Sequence, residues 1–510
     1  MESIPHRYAD QIAGTLSCFD RIVVTGTLPD ICHKDAITKH LYFKGIQVFD
    51  YAKGFAEPLR EEIRANAEAV AKNAGLQIEF VRSSHGMRKE DTVQKILDNR
   101  PEAQRDQPGL VHILSAMEPC NAFIPWHDKT THKTFLRPTQ GKCLHYYFYF
   151  IDPEFGLCHL RVPTWSPFRL QFCCNGHNWL AHQLRQRGLD YQQLDNTFSA
   201  ITDWTIAQEL ADSFPVERFH RQLDQAAMQF CPVLRHFPAG YHWSIMQVEY
   251  STDIVFKRQA DLRPLYDTLV HTAIHAVKAD DVATFLGRKL HPRFEDEAGN
   301  DFHVRIEGTR IKHKFGSASL KMYDKAGLVL RLETTSNDVS FFKHYREVEH
   351  RNGESEKKLA PVQKTIYSLG VMRELLAASN RRYLNFLSDL GDPSAGLKKV
   401  EDLSKTVRQD DRTYRGFNLF DDDDLALCVS LARGEWQISG FNNTAIRHYL
   451  AGKSSSQVSR LFKRLRIHGL IKKIAHTYKY YLTKFGQEVM LTALKLRELV
   501  VIPTLAAVSA

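Results

Sequence analysis

The stretch SSSQVSRLFKRLRIHGLIKKIAHTYKYYLT, residues 454–483, carries the clearest structural pattern in this chain. Ser454 and Ser455 can begin a helix, because a hydroxyl accepts a hydrogen bond from an otherwise unpaired N–H of the first turn. Apolar residues then recur with the spacing of one buried helical face, at Val458, Leu461, Phe462 and Leu465. Gly469 ends the helix, and two β-prone runs follow, Leu470–Ile474 and Thr477–Leu482. The pattern predicts a helix followed by a β-hairpin.

Two shorter helices and a strong positive charge surround this stretch. Asp421–Asp424 place negative charge at the start of the first helix, where the helix dipole favours it, and Asn442 or Asn443 can cap the second. Residues 451–487 contain nine Lys and Arg and no Asp or Glu. The whole chain has 68 basic and 59 acidic residues, so its formal excess of +9 lies entirely in this segment. Clustered cations of this kind bind DNA phosphates.

Three helices followed by a hairpin make residues 416–510 similar to the MarR-like winged-helix domains of bacterial regulators. The resemblance covers about the last ninety residues and implies that the helix beginning near Ser455 reads DNA while the hairpin is the wing. A basic helix that only solvates a surface, or a winged helix that contacts protein, is the alternative. The resemblance and the polar face together assign the following residues to DNA binding: Ser455, Ser456, Gln457, Ser459, Arg460, Lys463, Arg464, Lys472, Lys473, His476, Tyr478 and Lys479.

The composition, the N-terminal sequence and the cysteine pattern indicate an ordinary globular protein. Hydrophobic residues make up 43% of the 510 residues and aromatic residues 11%, which is ample for packed cores. The N-terminus, MESIPHRYADQ, lacks the basic and then apolar layout of a signal peptide, and no apolar run is long enough to cross a bilayer. Nine scattered cysteines without a CxxC pair favour reduced thiols over a zinc finger. The chain is therefore expected to be cytoplasmic, with no membrane partner.

The N-terminal part, residues 1–118, alternates predicted strands with predicted helices. Such alternation implies an α/β domain with a parallel sheet. The strands are predicted at Arg21–Thr25, Ile46–Tyr51, Gln77–Val81 and Leu110–Leu114. The helices are predicted at Lys34–Lys44, Phe55–Gly75 and Lys89–Asp98.

Residues 119–237 are predicted to form an α+β region with a β-hairpin, His145–Ile151 and Leu157–Val162. A strand ending at Asp152, further antiparallel strands, a helix and another strand ending at Asp195 resemble the start of RNase H-like nuclease and transposase cores. That resemblance implies that Asp152 and Asp195 are catalytic and hold divalent metal ions, Mg²⁺ or Mn²⁺. The sequence does not identify the third acid of such a site, for which Glu249 and Asp253 are candidates. The alternative is that Asp152 begins a turn and Asp195 caps one.

Residues 238–346 form a basic β-meander region in which Phe302–Thr335 alternates with a period of two. Its segments YDK, residues 323–325, and RLE, residues 331–333, resemble a strand pair of rolling-circle replication initiators from plasmids and phages. The resemblance makes Tyr323 a candidate catalytic residue, although the HxH metal motif of many such enzymes is not found. As structure alone, Lys321, Lys325, Arg331 and Glu333 can form cross-strand ion pairs on an exposed face.

The remaining segment, residues 347–415, is predicted to be a charged and partly helical linker. The predicted fold is therefore multidomain α/β and α+β: an alternating α/β domain, a central antiparallel β-rich region and a winged helix. Two classes of function stay open. The first is a mobile-element DNA-processing protein, a transposase, nuclease or replication initiator that would use Mg²⁺ or Mn²⁺. The second is a non-catalytic transcriptional regulator whose N-terminal region binds a ligand or partner. DNA is the expected partner, and RNA and a homodimer stay open.

Overall fold

An eleven-stranded mixed sheet organises the first of two units in this chain, Met1–Gly391, and the second unit is Asp392–Ala510. The computed structural model describes all residues except 1–2, 83–88, 102–103, 290–298, 306–307, 351, 391–400, 419, 434, 437–439, 451, 475–476, 498–501 and 503–510. Within the described part of the first unit the strands are β1 Ile12–Thr27, β2 Ile78–Phe80, β3 Gly109–Asp128, β4 Lys133–Asp152, β5 Gly156–Pro163, β6 Leu170–Cys174, β7 Tyr191–Gln193, β8 Phe198–Ile201, β9 His242–Phe256, β10 Gly299–Arg305, β11 Gly308–Phe315, β12 Ala318–Lys325, β13 Val329–Ser336, β14 Lys343–Glu349 and β15 Ser355–Pro361. The large sheet has the order β10-β11-β12-β13-β9-β1-β6-β5-β4-β3-β2, while β7–β8 and β14–β15 form separate hairpins.

The helices of this unit connect the strands and cover the sheet. The α-helices are α1 Ile4–Arg7, α2 Lys34–Phe43, α3 Glu57–Asn73, α4 Lys89–Asp98, α5 Gly176–Gln186, α6 Trp204–Asp212, α7 Val216–Phe230, α8 Gln259–Ala276, α9 Ala279–Phe285 and α10 Leu369–Leu390. Shorter 3₁₀ or π turns occur at Pro29–Ile31, Val48–Asp50, Tyr51–Ala56, Pro232–His236, Val339–Phe341 and Ile366–Ser368.

The two faces of the sheet differ in chemistry because side chains alternate along each strand. One face carries apolar residues such as Val24, Phe172 and Leu332, which join α3, α5–α7, α8 and α10 in one buried core. The opposite face carries polar residues from neighbouring strands, since the register pairs Lys321 with Glu333 and Arg21 with Glu249. On that face α4 packs by apolar contact, through a small cluster over β3 and β4. The polar face is thus where a site can form.

The parallel sheet predicted for residues 1–118 is wrong. Its first strand, β1, is sixteen residues long and pairs antiparallel with β9 and β6, and among the strands that the structure describes only β2 and β3 are parallel. The predicted strand Ile46–Tyr51 is instead a 3₁₀ turn that continues into a π turn. One sheet runs through residues 12–336, so the predicted boundaries at 118 and 237 do not separate compact units.

The β3–β4 pair extends beyond the neighbouring strands as a two-stranded ribbon, Met117–Asp128 paired with Lys133–Leu144. Phe123 and Leu136 on one face of this ribbon are buried with Ile37 and Leu41 of α2. The other face, with Ile124 and Trp126, is exposed. The ribbon is therefore held on one side and open on the other.

The second unit contains helices and short hairpins in the order predicted from sequence. Its elements are β16 Val407–Gln409, β17 Arg412–Tyr414, α11 Asp422–Leu431, α12 Asn443–Tyr449, α13 Ser455–Ile467, β18 Ile471–Lys473, β19 Tyr480–Leu482 and α14 Lys484–Leu496. Val458, Phe462 and Leu465 on one face of α13 are buried in its core, as the spacing predicted. Asn442 caps α12 by accepting a hydrogen bond from the Ala445 N–H at 2.8 Å.

Two further predictions of composition can be compared with the structure. The nine cysteines are all free thiols. Among the helices of the described residues, none combines the length and apolar character needed to cross a bilayer.

Candidate functional site

Three carboxylates from three adjacent strands converge on the polar face of the sheet. Asp20 of β1, Glu249 of β9 and Glu333 of β13 each offer an oxygen, and these oxygens lie within 4.8 Å of one another. Asp20 and Glu333 are buried, and Glu249 is half-buried. Clustered carboxylate oxygens are the ligands that Mg²⁺ and Mn²⁺ prefer in proteins. The geometry makes this cluster, here called the acid cluster, the candidate metal centre.

Strand register and one β-bulge bring the acid cluster together. Glu249 pairs with Arg21 of β1 on one side and with Thr335 of β13 on the other. Glu333 lies two residues before Thr335, so its side chain is on the same face of the sheet as that of Glu249. The β1–β9 register shifts between Phe19 and Arg21, so Asp20 is the extra residue of a bulge. A bulge re-aims side chains relative to the regular alternation. This directs Asp20 toward the two glutamates rather than away from them.

Two residues of β12 contact Glu333 directly. Lys321 Nζ lies 2.5 Å from one Glu333 oxygen and 3.8 Å from Glu249 Oε1, and the Tyr323 hydroxyl donates to the other Glu333 oxygen at 2.6 Å. Burial and the charge of Glu333 raise the pKa of Glu249 to about 7. Burial opposes the ammonium form of Lys321, but Glu333 and Glu249 hold its pKa above the usual value. The acid cluster therefore carries one built-in cation and a carboxyl that titrates near neutral pH.

Buried polar residues next to the acid cluster hold Asp20 in place. The fully buried Arg331 guanidinium donates to both oxygens of Asp253 at 2.6 Å, and its Nη1 lies 3.4 Å from Asp20. His177 Nδ1 lies 3.2 Å from Asp20, and the side-chain amide of Asn196 donates a hydrogen bond to Asp20 Oδ1 at 2.5 Å. Burial disfavours the carboxylate, yet Arg331 and His177 hold the pKa of Asp20 well below its usual range. Asp20 therefore faces the cluster as an anion.

A cleft of about 330 Å³ opens on the same face and includes Arg21, the cross-strand partner of Glu249. Lys89 of α4 and Gln171 of β6 also line it. Cations on a cleft wall beside an acid cluster suit a phosphate-bearing ligand, because they balance phosphate charge while the carboxylates hold a metal ion.

The predicted metal pair, Asp152 and Asp195, is not brought together as the sequence suggested. Strand β4 pairs with β3 and β5, whereas β7 pairs only with β8, so the strands preceding the two aspartates are not neighbours. Asp152 Oδ1 accepts hydrogen bonds from the N–H groups of Glu154 and Phe155, both at 2.8 Å. The Asp195 side chain is 82% exposed, its φ is 55°, and Lys325 lies 2.9 Å away. Both residues make turns, as the alternative reading held.

The structure places the other predicted residues of the first unit in or under the acid cluster. Glu249 belongs to the cluster, whereas Asp253 is committed to Arg331. Tyr323 lies within the site, but burial and the Glu333 charge raise its pKa well above the usual value, which makes it a hydrogen-bond donor rather than a phenolate. The expected exposed face is wrong, since Arg331 is fully buried.

Sequence reasoning missed Asp20 and assigned Glu333 only to an ion pair. Neither residue stands in a spacing motif with Glu249, because the three lie on strands far apart in the chain. The available signals were Glu333 at the end of the RLE segment and Asp20 just before the β-branched run that begins at Arg21. Neither signal indicates which strands are neighbours.

The DNA-contact residues predicted in the second unit fall into four groups, the last of which is Arg464 alone. The first group is exposed on α13 or the hairpin and comprises Arg460, Lys472, Lys473, Tyr478 and Lys479, together with Ser455 and Ser456, whose hydroxyls contact Asn443 and Ser454. The others are exposed or half-buried but already engaged within the unit: Gln457 in a capping box with Ser454, Ser459 with Asn443, and Lys463 with Asp410 at 3.6 Å. His476 lies outside the described residues.

Arg464 is the clear correction in this unit, because it does not lie on an exposed face. Its guanidinium is buried and donates to both oxygens of Asp424, at 2.7 and 2.8 Å. It also lies 3.9 Å from the Phe417 ring centroid. Arg464 therefore holds the unit together and is not free to contact DNA.

Comparison with protein-family models, curated proteins and solved structures found no match to this chain. The function must therefore be inferred from the acid cluster, its cleft and the basic surface of the second unit.

Proposed function

We propose that this protein is a DNA-processing enzyme that breaks or transfers phosphodiester bonds with the help of a divalent metal ion. The observation that carries the proposal is the convergence of Asp20, Glu249 and Glu333 on one sheet face, beside a cleft whose lining includes Arg21 and Lys89. A metal ion bound there would polarise a phosphoryl oxygen or activate a water molecule.

The chain's own residues have separable roles in this proposal. Lys321, whose ammonium already contacts Glu333, can stabilise negative charge that develops on a phosphate. Arg21 lines the cleft and can hold a phosphate oxygen. Glu249 has a pKa near neutrality before a metal binds, so it would release a proton when a metal ion enters and could then accept one from an attacking water molecule. Tyr323 positions Glu333 through its hydroxyl.

We further propose that the second unit is a winged helix-turn-helix, similar to the MarR-like domains, that directs the enzyme to DNA. Three helices, α11 to α13, precede the β18–β19 hairpin, and Phe441 forms an additional β-bridge with Tyr480. Arg460 on α13, with Lys472, Lys473 and Lys479 on the hairpin, is exposed. A helix and a wing that both present cations are what a winged helix uses on DNA.

Nicking of supercoiled plasmid by the full chain tests the catalytic proposal. The wild-type protein should convert supercoiled DNA to open-circle or linear DNA with Mg²⁺ or Mn²⁺ and lose this activity in EDTA. Glu333→Gln should abolish it. Glu347→Gln, which changes an exposed glutamate on β14 of the same unit, should retain it. Equal activity in Glu333→Gln, or activity independent of metal, would overturn the proposal.

A second candidate is a non-catalytic transcriptional regulator. The favouring observation is that Lys321 already compensates Glu333 at 2.5 Å, so the acid cluster can also be read as a structural ion-pair network. Specific operator binding by the wild-type protein, with no DNA cleavage under any metal condition, would select this candidate.

A further inference from the structure

We propose that a groove across the polar face of the first unit binds single-stranded DNA and leads it from the acid cluster to the β3–β4 ribbon. This inference rests on the proposed DNA-processing function and adds the form of the DNA and the path of the strand.

Three cavities form this groove because neighbouring cavities share lining residues. The cleft of about 330 Å³ beside the acid cluster shares Gln171 with a cavity of about 250 Å³. That cavity shares Asn121, Gln140 and Arg169 with a third, of about 510 Å³, at the base of the ribbon. The shared residues make the three cavities neighbours, with Arg21 at one end of the series and Lys34 at the other.

The charge of the groove fits a phosphate backbone. Among the described residues that line the three cavities, five are Lys or Arg and one, Glu90, is acidic. The five cations are spread along the groove: Arg21, Lys89, Arg161, Arg169 and Lys34. Lys89 and Arg161 are both paired with Glu118, at 2.6 and 2.8 Å, whereas Arg169 is exposed where two cavities meet. A strand in the groove would meet a cation in each cavity, which is the charge pattern expected of a nucleic-acid track.

Aromatic side chains at the ribbon end favour an unpaired strand over a duplex. Trp126 on the open face of the ribbon is 41% exposed, and the Arg137 guanidinium lies 4.0 Å from its ring centroid. Lys34 Nζ lies 5.6 Å from the Phe135 ring centroid, and Trp165 lines the middle cavity. Bases stack on exposed aromatic rings only when they are not enclosed in a duplex, and adjacent cations then hold the phosphates.

Binding of fluorescently labelled oligonucleotides to the full chain tests this groove. Fluorescence anisotropy is measured in EDTA, so that the outcome does not depend on cleavage, and with excess unlabelled duplex to occupy the second unit. Trp126→Ala should weaken single-strand binding about fivefold or more through loss of base stacking. The double variant Lys34→Ala/Arg169→Ala should lower the slope of log affinity against log salt by about 1.4, which corresponds to two phosphate contacts on a single strand.

Matched controls lie on the β14–β15 hairpin, none of whose described residues lines the three cavities. Tyr345→Ala removes an aromatic ring that is 69% exposed, and Lys343→Ala removes an exposed cation. Both should bind the oligonucleotide like the wild type. Unchanged binding in Trp126→Ala and in the double variant would overturn the groove. If the excess of unlabelled duplex displaced the labelled single strand equally from the wild-type protein and from the groove variants, the groove's preference for an unpaired strand would be overturned. Because the proposed catalysis is tested separately by metal-dependent nicking, failure of the groove can be distinguished from failure of the proposed function.

Discussion

Replacing Arg464 with alanine should destabilise the second unit rather than remove a DNA contact. The guanidinium donates to both Asp424 oxygens and to the carbonyl oxygens of Arg415 and Gly416, and it stacks on Phe417. The Arg464 side chain is 7% exposed and the Asp424 side chain 1%, so water cannot replace the lost partner easily. The change would leave a buried carboxylate without its main counter-charge.

The magnitude follows from the partners that remain. Breaking a buried ion pair by removing one member costs about 3–5 kcal/mol. Asp424 keeps a hydrogen bond from the Asn418 N–H at 3.0 Å and an ion pair with Arg415 at 3.5 Å, so we expect the lower end, about 3 kcal/mol. Amide hydrogen exchange of α13 in the full chain should therefore accelerate by roughly 100-fold.

Two further variants separate this effect from a general loss of charge on α13. Arg460→Ala, an exposed change on the same helix, should leave exchange within a few-fold of wild type. Arg464→Met combined with Asp424→Asn should recover much of the lost protection, because no unpaired charge is left buried. Wild-type protection in Arg464→Ala would refute the argument that this ion pair stabilises the unit.

Three further predictions concern DNA and metal binding. Arg460→Ala should weaken DNA binding by about 1–3 kcal/mol on a preferred sequence if it contacts a guanine, or equally on all sequences if it contacts phosphate; unaltered affinity at fixed salt would remove α13 as the recognition helix. Glu249, whose pKa is raised to about 7, must lose its proton before it can bind a metal ion. The affinity for Mn²⁺ should therefore fall about tenfold per pH unit below pH 7, and Glu249→Gln should abolish this dependence. An Mn²⁺ affinity that does not change with pH in the wild-type protein would contradict this prediction. Asp152→Asn and Asp195→Asn should each bind Mn²⁺ like the wild type in the same titration, whereas a tenfold loss in either would return that residue to the metal site.

The second unit could be predicted largely because its pattern is local. Val458, Phe462 and Leu465 follow the helical period, and the hairpin lies directly after Gly469. The error at Arg464 arose because its charge and its place on the polar face of the predicted helix both favoured the solvent side. Its partner, Asp424, lies on another helix, so the buried ion pair is a tertiary contact that the helical period does not reveal.

The first unit could not be predicted to the same extent because its sheet depends on pairing between distant strands. Alternating strand and helix patterns in residues 1–118 favoured a parallel sheet, but β1 pairs with β9 and β6 from much later in the chain. Local periodicity identifies strands without identifying their neighbours. The hairpin of β4 and β5 was confirmed because a short turn joins its two strands, so the local sequence pattern indicates the pairing. The long-range pairs were missed because no local pattern indicates them.

The candidate site shows the same limit at the level of single residues. The sequence offered Glu249 as one of two candidates for the third acidic metal ligand. It did not offer Asp20, because the position of Asp20 depends on a bulge in β1. Asp152 and Asp195 attracted the metal assignment because strands ending in aspartate are common in metal-dependent nucleases. In this fold those aspartates make turns, and the converging acids come from the middle of long strands.

Calorimetric titration of Mn²⁺ into the full chain tests the acid cluster most directly. The wild-type protein and Glu347→Gln should bind the ion alike, whereas Glu333→Gln and Asp20→Asn should lose at least about tenfold in affinity, as expected for removal of a carboxylate ligand. Circular dichroism of each variant establishes that the fold is retained. No binding by the wild-type protein, or wild-type affinity in a folded Glu333→Gln variant, would contradict a metal centre formed by Asp20, Glu249 and Glu333.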